Sequence, residues 1–201
     1  MQASLSGVLK DFNSQIDSSQ NLIKKVKDIG IPRIQVEIIT ELAFLRISIA
    51  WENFLEESFI RYSVGAKSIS GHVPTRLLEP HDMTHAFGLL SQGKDYIKWN
   101  SASGVVRRAE LYFRDGEPYK NIIQSITVDL DNVNIIRNRI AHKSSISKKN
   151  FTEFARRKFG YGKRGMTPGR FLLTPTPTDT QIIFLDYYIS IFKTASLIIV
   201  K

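Results

Sequence analysis

The sequence predicts an all-α helical bundle with a basic loop or short-helix insertion, about 143–178, ahead of the last helix. Three observations predict it. Apolar residues recur at three- and four-residue spacing through most of the chain. Glycine and proline signals fall where one such stretch gives way to the next. Extended candidates, such as residues 170–173, are too few to build a sheet. The 201 residues read as a single domain, 1–201, with length to spare for a core. At 42% apolar and 23% charged, the composition is that of an ordinary globular protein.

The first helix is expected over residues 5–29, where Leu5, Val8, Leu9, Phe12, Ile16, Leu22, Ile23 and Val26 follow the three-four spacing of an amphipathic helix. Gly30 supplies its stop, and Pro32 suits the first turn of the next helix. That second helix runs from Arg33 to about residue 63. Ile34, Ile38, Leu42, Leu45, Ile49, Phe54 and Phe59 cover more than one of its faces, as in a helix central to a bundle. On it, Glu52 and Glu56 share a face. They read either as a solvated stripe or as acids that orient a basic residue on a neighbouring helix. A loop over 65–75 leads to a shorter helix over about 80–91, ending at Gly93. Another helix spans about 103–113, and Arg114-Asp115-Gly116-Glu117-Pro118 is a strong turn signal. Helix resumes by Tyr119, breaks near Thr127 and continues to about residue 144. Residues 143–150 read as a polar loop. Asn150 with Glu153 fits a capping box for a helix over 151–159, with Phe151, Phe154 and Phe159 inward. A flexible basic stretch, 160–165, follows. Thr174-Pro175-Thr176-Pro177 forces extended backbone, and Thr178 or Thr180 caps a final helix reaching Val200.

That last apolar run, 182–200, is interrupted by Asp186 and Lys193. A mid-span charge costs about 2.5–3.5 kcal/mol, so a core helix is expected and no membrane partner. Met1-Gln2-Ala3-Ser4 lacks the basic and apolar regions of a signal peptide. The absence of cysteine excludes disulfides, thiolate metal sites and cysteine nucleophiles, and it suits a reducing, cytoplasmic setting. The net charge of +9 is concentrated. Lys143, Lys148, Lys149, Arg156, Arg157, Lys158, Lys163, Arg164 and Arg170 stand in one segment against a single acid, Glu153. Such a patch points to a polyanion, most simply RNA or DNA.

The chemistry centres on Arg137-Asn138-Arg139-Ile140-Ala141-His142. At 100° per residue, Val133, Ile136 and Ile140 form an apolar stripe. Arg137, Ala141, Asn138 and His142 follow across the adjacent face. An imidazole can exchange a proton with a ribose 2′-OH or a leaving oxygen. A guanidinium offers a permanent charge and a donor fork to phosphate oxygens. An amide can hold the phosphate or the imidazole. Small Ala141 leaves room for a substrate or a second helix. One helix carries only one histidine, whereas acid–base chemistry at phosphorus commonly uses two proton-transfer groups. A two-fold dimer would supply the second.

These six residues resemble the R-x4-6-H motif of the HEPN superfamily, whose commonest form is Arg-Asn, three residues, His. The resemblance implies an all-α bundle and a metal-independent, cofactor-free endoribonuclease. It implies a homodimer with a composite site, leaving a 2′,3′-cyclic phosphate and a 5′-OH. Under it, His142 is the acid–base group, Arg137 the phosphate and transition-state stabiliser, and Asn138 an auxiliary. An acid recurrent on the family's second helix would fall on Glu52 or Glu56. Non-catalytic binding modules also occur in the superfamily. Thr167-Pro168-Gly169-Arg170-Phe171-Leu172, followed by a last apolar helix, resembles the HEPN branch associated with RiboL-PSP proteins. That branch implies a bacterial conflict or defence role and an antitoxin or defence-system partner. Ser144 stands where some members carry the tyrosine of a His-x-Tyr extension that their antitoxins modify.

A second constellation, His81-Asp82-Met83-Thr84-His85 with His72 upstream, has the spacing of a zinc site. Asp82, however, stands where a metalloprotease needs a longer glutamate base. Histidines at the start of a helix are the simpler expectation. No Walker A loop, nucleophile elbow or Rossmann fingerprint is present.

Overall fold

A computed structural model describes residues 4–94, 96–162 and 164–201. Among these residues the protein is all-α, with helices α1 (Leu5–Asp28), α2 (Arg33–Ser63), α3 (Met83–Ser91), α4 (Ala102–Tyr112), α5 (Lys120–Ser125), α6 (Thr127–Ala141), α7 (Ser145–Phe159), α8 (Pro168–Leu172) and α9 (Phe184–Val200). A 3-10 turn occupies Arg114–Gly116. Extended pairing among the described residues is limited to two isolated bridges, Arg76 with Phe113 and Pro175 with Ile183. No helix among them is long and apolar enough to cross a membrane.

Contacts within the chain gather into two compact units. Unit 1 is Met1–Asn13, Ala50–Leu130 and Phe192–Lys201; unit 2 is Ser14–Ile49 and Asp131–Ile191. In unit 1 the core forms around Phe59. Its ring lies 5.1–5.3 Å from those of Trp99, Tyr112, Phe113 and Tyr119. Trp51 stacks on Phe192 at 5.0 Å. Buried hydroxyls find partners as burial demands: Tyr119 meets Ser58 at 2.9 Å, and Tyr62 donates to the Ile199 carbonyl at 2.8 Å.

In unit 2 a file of rings runs through α7, α8 and α9. Phe171 lies 5.0 Å from Phe154 and stacks on Phe184 at 4.2 Å. Tyr188 continues it to Phe44 of α2 at 6.1 Å. Each such pair adds about 0.5–1.5 kcal/mol beyond the apolar area it buries.

Several boundaries differ from those the sequence predicts, each for a local reason. α7 begins at Ser145, so 145–150 is helix and not loop. Ser144, not Asn150, caps it by accepting from Ser147 N at 3.2 Å. α6 correspondingly stops at Ala141, three residues early. Residues 170–172 belong to helix α8, with Thr167 as cap and Pro168 in the first turn. α9 begins only at Phe184. Thr176 N donates to Ile182 O at 2.8 Å and Phe184 N to Thr174 O at 3.0 Å, committing those groups to a closed turn. Thr176 Oγ1 tightens it, accepting from Asp179 N at 3.1 Å.

Candidate nucleic-acid interface

The candidate site lies in unit 2, at the C-terminal end of α6. Val133 and Ile136 are buried, and this anchors the helix and fixes its rotation. The expected order of faces follows: Arg137 is half-buried, while Asn138, Ala141 and His142 are exposed. Arg139 turns inward, with one terminal guanidinium nitrogen out of contact with solvent. His142 stands just past the last helical residue. Its backbone N still donates to Asn138 O at 2.9 Å, so the imidazole keeps helical register with the Asn138 amide. Its carbonyl accepts from the buried Ser147 hydroxyl at 2.5 Å. The α6–α7 corner therefore holds the His142 backbone from both sides and leaves the ring in water.

Two acids on α2, in the same unit, hold the start of α8. Glu37 is 3% exposed. It accepts from Thr167 Oγ1 at 2.9 Å and from Arg170 Nε at 3.0 Å, and it pairs with Arg33 Nε at 3.3 Å. One turn on, Glu41 accepts from Gly169 N at 2.9 Å. Gly169 has no room for a side chain: a Cβ there would stand 2.2 Å from the Glu37 carbonyl oxygen. The Thr167-Pro168-Gly169-Arg170 turn is thus clamped onto α2 by two carboxylates. Their titration differs. Burial alone would raise the Glu37 carboxyl, but hydrogen bonds from Arg170 and Thr167 and the charges of Arg170 and Arg33 hold it below its ordinary value. For Glu41, burial prevails and raises it. The Gly169 N–H and the charges of Arg139 and Lys143 pull it down, and Glu37 pushes it up. Glu41 is accordingly the α2 acid coupled to the cations at the end of α6.

Glu52 and Glu56, the acids that the resemblance implies, belong to unit 1. There Glu56 accepts from Trp99 Nε1 at 2.7 Å. Glu37 and Glu41 have the same four-residue spacing, and periodicity does not single them out. The sign available was their place in an otherwise apolar stretch.

The cationic residues divide by element. Phe151, Phe154 and Ala155 bury one side of α7. Lys148, Lys149, Arg156 and Arg157 are exposed on the rest, Lys158 is half-buried, and Lys143 and Arg164 are exposed to either side of the helix. Lys149 and Arg156, seven residues apart, project within about 20° of each other. Lys163 lies outside the described residues. Arg170 is engaged by Glu37 and so serves the clamp.

His81 and His85 do not share a helix. α3 begins at Met83, and Asp82 caps it by accepting from His85 N at 2.8 Å. The two imidazoles lie against one another, centroids 4.1 Å apart. Among the described residues no cluster of three or more His, Asp or Glu is placed to hold a metal ion. Comparison with protein-family models, curated proteins and solved structures returns no match to this chain.

Proposed function

We propose that the protein is a metal-independent endoribonuclease of HEPN type, active as a homodimer. The observation that carries this reading is one juxtaposition. Within unit 2, the outward-facing Asn138 and His142 and the half-buried Arg137 are followed, across one tight corner, by the exposed cationic face of α7. The α7 cations would hold the RNA backbone, and Arg137 a phosphate next to His142. His142 takes the proton of a ribose 2′-OH. The 2′-oxygen bonds to phosphorus, the bond to the 5′-oxygen breaks, and that oxygen is protonated by His142 of the partner subunit. The products are a 2′,3′-cyclic phosphate and a 5′-OH. Glu41, which accepts from Gly169 N at 2.9 Å, holds the start of α8 in place within the same unit. A toxin or anti-phage setting in the cytoplasm, with an antitoxin partner, belongs to the same reading. Ser144, in place of tyrosine, leaves no phenol for such a partner to modify.

The pairing face is an apolar stripe on α2. Ile34, Ile38, Leu42 and Ile49 are 67, 52, 59 and 45% exposed, and Leu45 is half-buried among them. The order is nearly palindromic. An antiparallel two-fold pairing sets Ile34 against Ile49, Ile38 against Leu45 and Leu42 against its own copy, the self-complementarity a two-fold interface needs.

The alternative is a module that binds RNA or a protein without cleaving. It is favoured by the single imidazole in the motif. The experiment is RNA cleavage in EDTA. Cleavage with 5′-OH products, reduced about a hundredfold or more by His142→Ala, is expected. RNA bound but left intact supports the binding module instead.

A further inference from the structure

Unit 1 contains a cavity of about 600 Å³ beside the C-terminal end of α3, a volume typical of small-ligand sites. The chain turns into it through Gln92 and Gly93, both in the left-handed region at φ 51° and 76°. Its described lining carries three cations, Lys94, Lys98 and Arg108; Asp95, between Lys94 and Tyr96 in the chain, lies outside the described residues. Ile97 supplies a buried apolar wall, and the Tyr96 ring is mostly exposed at the mouth.

Arg108 shows that this is more than a basic surface. Its guanidinium carbon sits 4.9 Å from the centroid of the Trp99 ring, an arrangement that holds the fork in place. Trp99 is itself held by its hydrogen bond to Glu56. Burial disfavours the Arg108 charge, and the Glu56 carboxylate offsets only part of that cost. One terminal nitrogen of Arg108 is buried and has no hydrogen-bond partner among the described residues. Buried donors without partners are rare in folded proteins. Here the donor belongs to a side chain lining a cavity that also carries two flexible ammonium groups.

We propose that this cavity is a nucleotide site, with Arg108, Lys94 and Lys98 taking a phosphate and Tyr96 stacking on the base. Arginine suits phosphate through its planar donor fork, and an aromatic ring accepts any base face. The nucleotide is either free in solution or the phosphorylated 5′ end of an RNA strand. The site belongs to unit 1 and does not depend on the ribonuclease reading.

The test is isothermal titration of the full chain carrying His142→Ala, so that any cleavage is removed. The titrants are AMP, ATP, adenosine, and a short RNA with either a 5′-phosphate or a 5′-OH. Binding of AMP or ATP, with adenosine weaker by about tenfold or more, identifies a free nucleotide. Preference for the 5′-phosphorylated RNA over its 5′-OH form, without binding of AMP or ATP, identifies a strand end. In either case the paired substitutions Lys94→Glu and Lys98→Glu, on exposed side chains, weaken binding by about tenfold or more. Arg108→Gln does the same. The proposal is overturned if neither AMP nor ATP binds at millimolar concentration and the two RNAs bind alike, or if adenosine binds as tightly as AMP. It is also overturned if the Lys94→Glu, Lys98→Glu variant leaves affinity unchanged.

Discussion

Glu37 and Glu41 are one helical turn apart, grip the same turn of chain and titrate in opposite directions. The sign follows from which form the fold prefers. Glu37 is held below its ordinary value of 4.5, so its contribution is complete above pH 4.5 and is lost as pH falls through the lower folded value. Glu41 is raised. Its contribution is complete below 4.5 and is lost as pH rises through the higher folded value. Thermal melts between pH 3 and 7 separate the two. Glu37→Gln is expected to cost about 1–2 kcal/mol at neutral pH, the low end for an ionic hydrogen bond because Arg170 remains partly in water. That difference should shrink as the pH falls below 4.5. Glu41→Gln is expected to stabilise at pH 7 and to match the parent below 4.5. Equal responses of the two variants would contradict the assignment. Gly169→Ala tests the clamp sterically. A Cβ 2.2 Å from the Glu37 carbonyl oxygen must displace helix backbone, so a loss of about 3 kcal/mol is expected, the upper end for overpacking. Glu37 and Glu41 were hidden in the sequence because their partners, Thr167, Gly169 and Arg170, lie some 130 residues away. Spacing along α2 alone cannot distinguish them from Glu52 and Glu56.

At the level of elements, α7 gives the segment after His142 its purpose. The sequence showed its charge but assigned Lys148 and Lys149 to a loop, because Asn150 and Glu153 have the spacing of a capping box. Ser144 takes that role instead, and its selection depends on Ser147 being buried against the corner and bonded to the His142 carbonyl. The bounds of the long helices α1 and α2 were legible almost to the residue, since Gly30 and Pro32 separate two long runs of helical periodicity. Ends set by a side-chain cap, as at α7, or by a closed turn, as before α9, were not, since several nearby serines and threonines have the same local propensity. The helical placement makes the RNA prediction directional. Substituting alanine at Lys148, Lys149, Arg156 and Arg157 should weaken RNA binding across sequences and flatten the dependence of log affinity on log salt. The slope falls by about 0.7 for each single-strand phosphate that is no longer neutralised. A filter-binding salt series reads this, and an unchanged slope would remove α7 as the RNA-binding surface. Cleavage in the same variants should fall through substrate binding, leaving the rate at saturating RNA close to that of the parent.

For the whole molecule, the decisive property is one that a single chain lacks. The Arg137–His142 segment offers one proton-transfer group to a reaction that commonly uses two, and α2 leaves an apolar stripe in water over four turns. Scattered exposed apolar residues are ordinary, whereas an aligned row on one helix marks an interaction surface. The sequence made these residues look like core, because a helix apolar on several faces is usually central to a bundle. Ala43, Phe44 and Ile47 do turn inward, while Ile34, Ile38, Leu42 and Ile49 do not. Periodicity cannot divide inward from outward once both faces are apolar. If the stripe pairs two copies and the pair completes the site, charge placed on it should abolish both properties together. Ile38→Glu with Leu42→Glu exchanges exposed residues for exposed residues, so the circular dichroism spectrum and the melting temperature of a dilute sample should change little. Sedimentation velocity should then show a monomer where the parent is a dimer, and EDTA-resistant cleavage should fall as far as it does in His142→Ala. A dimer that persists moves the interface off α2. A monomer that cleaves RNA at the parent rate removes the composite site, leaving His142 to act with a donor from its own chain.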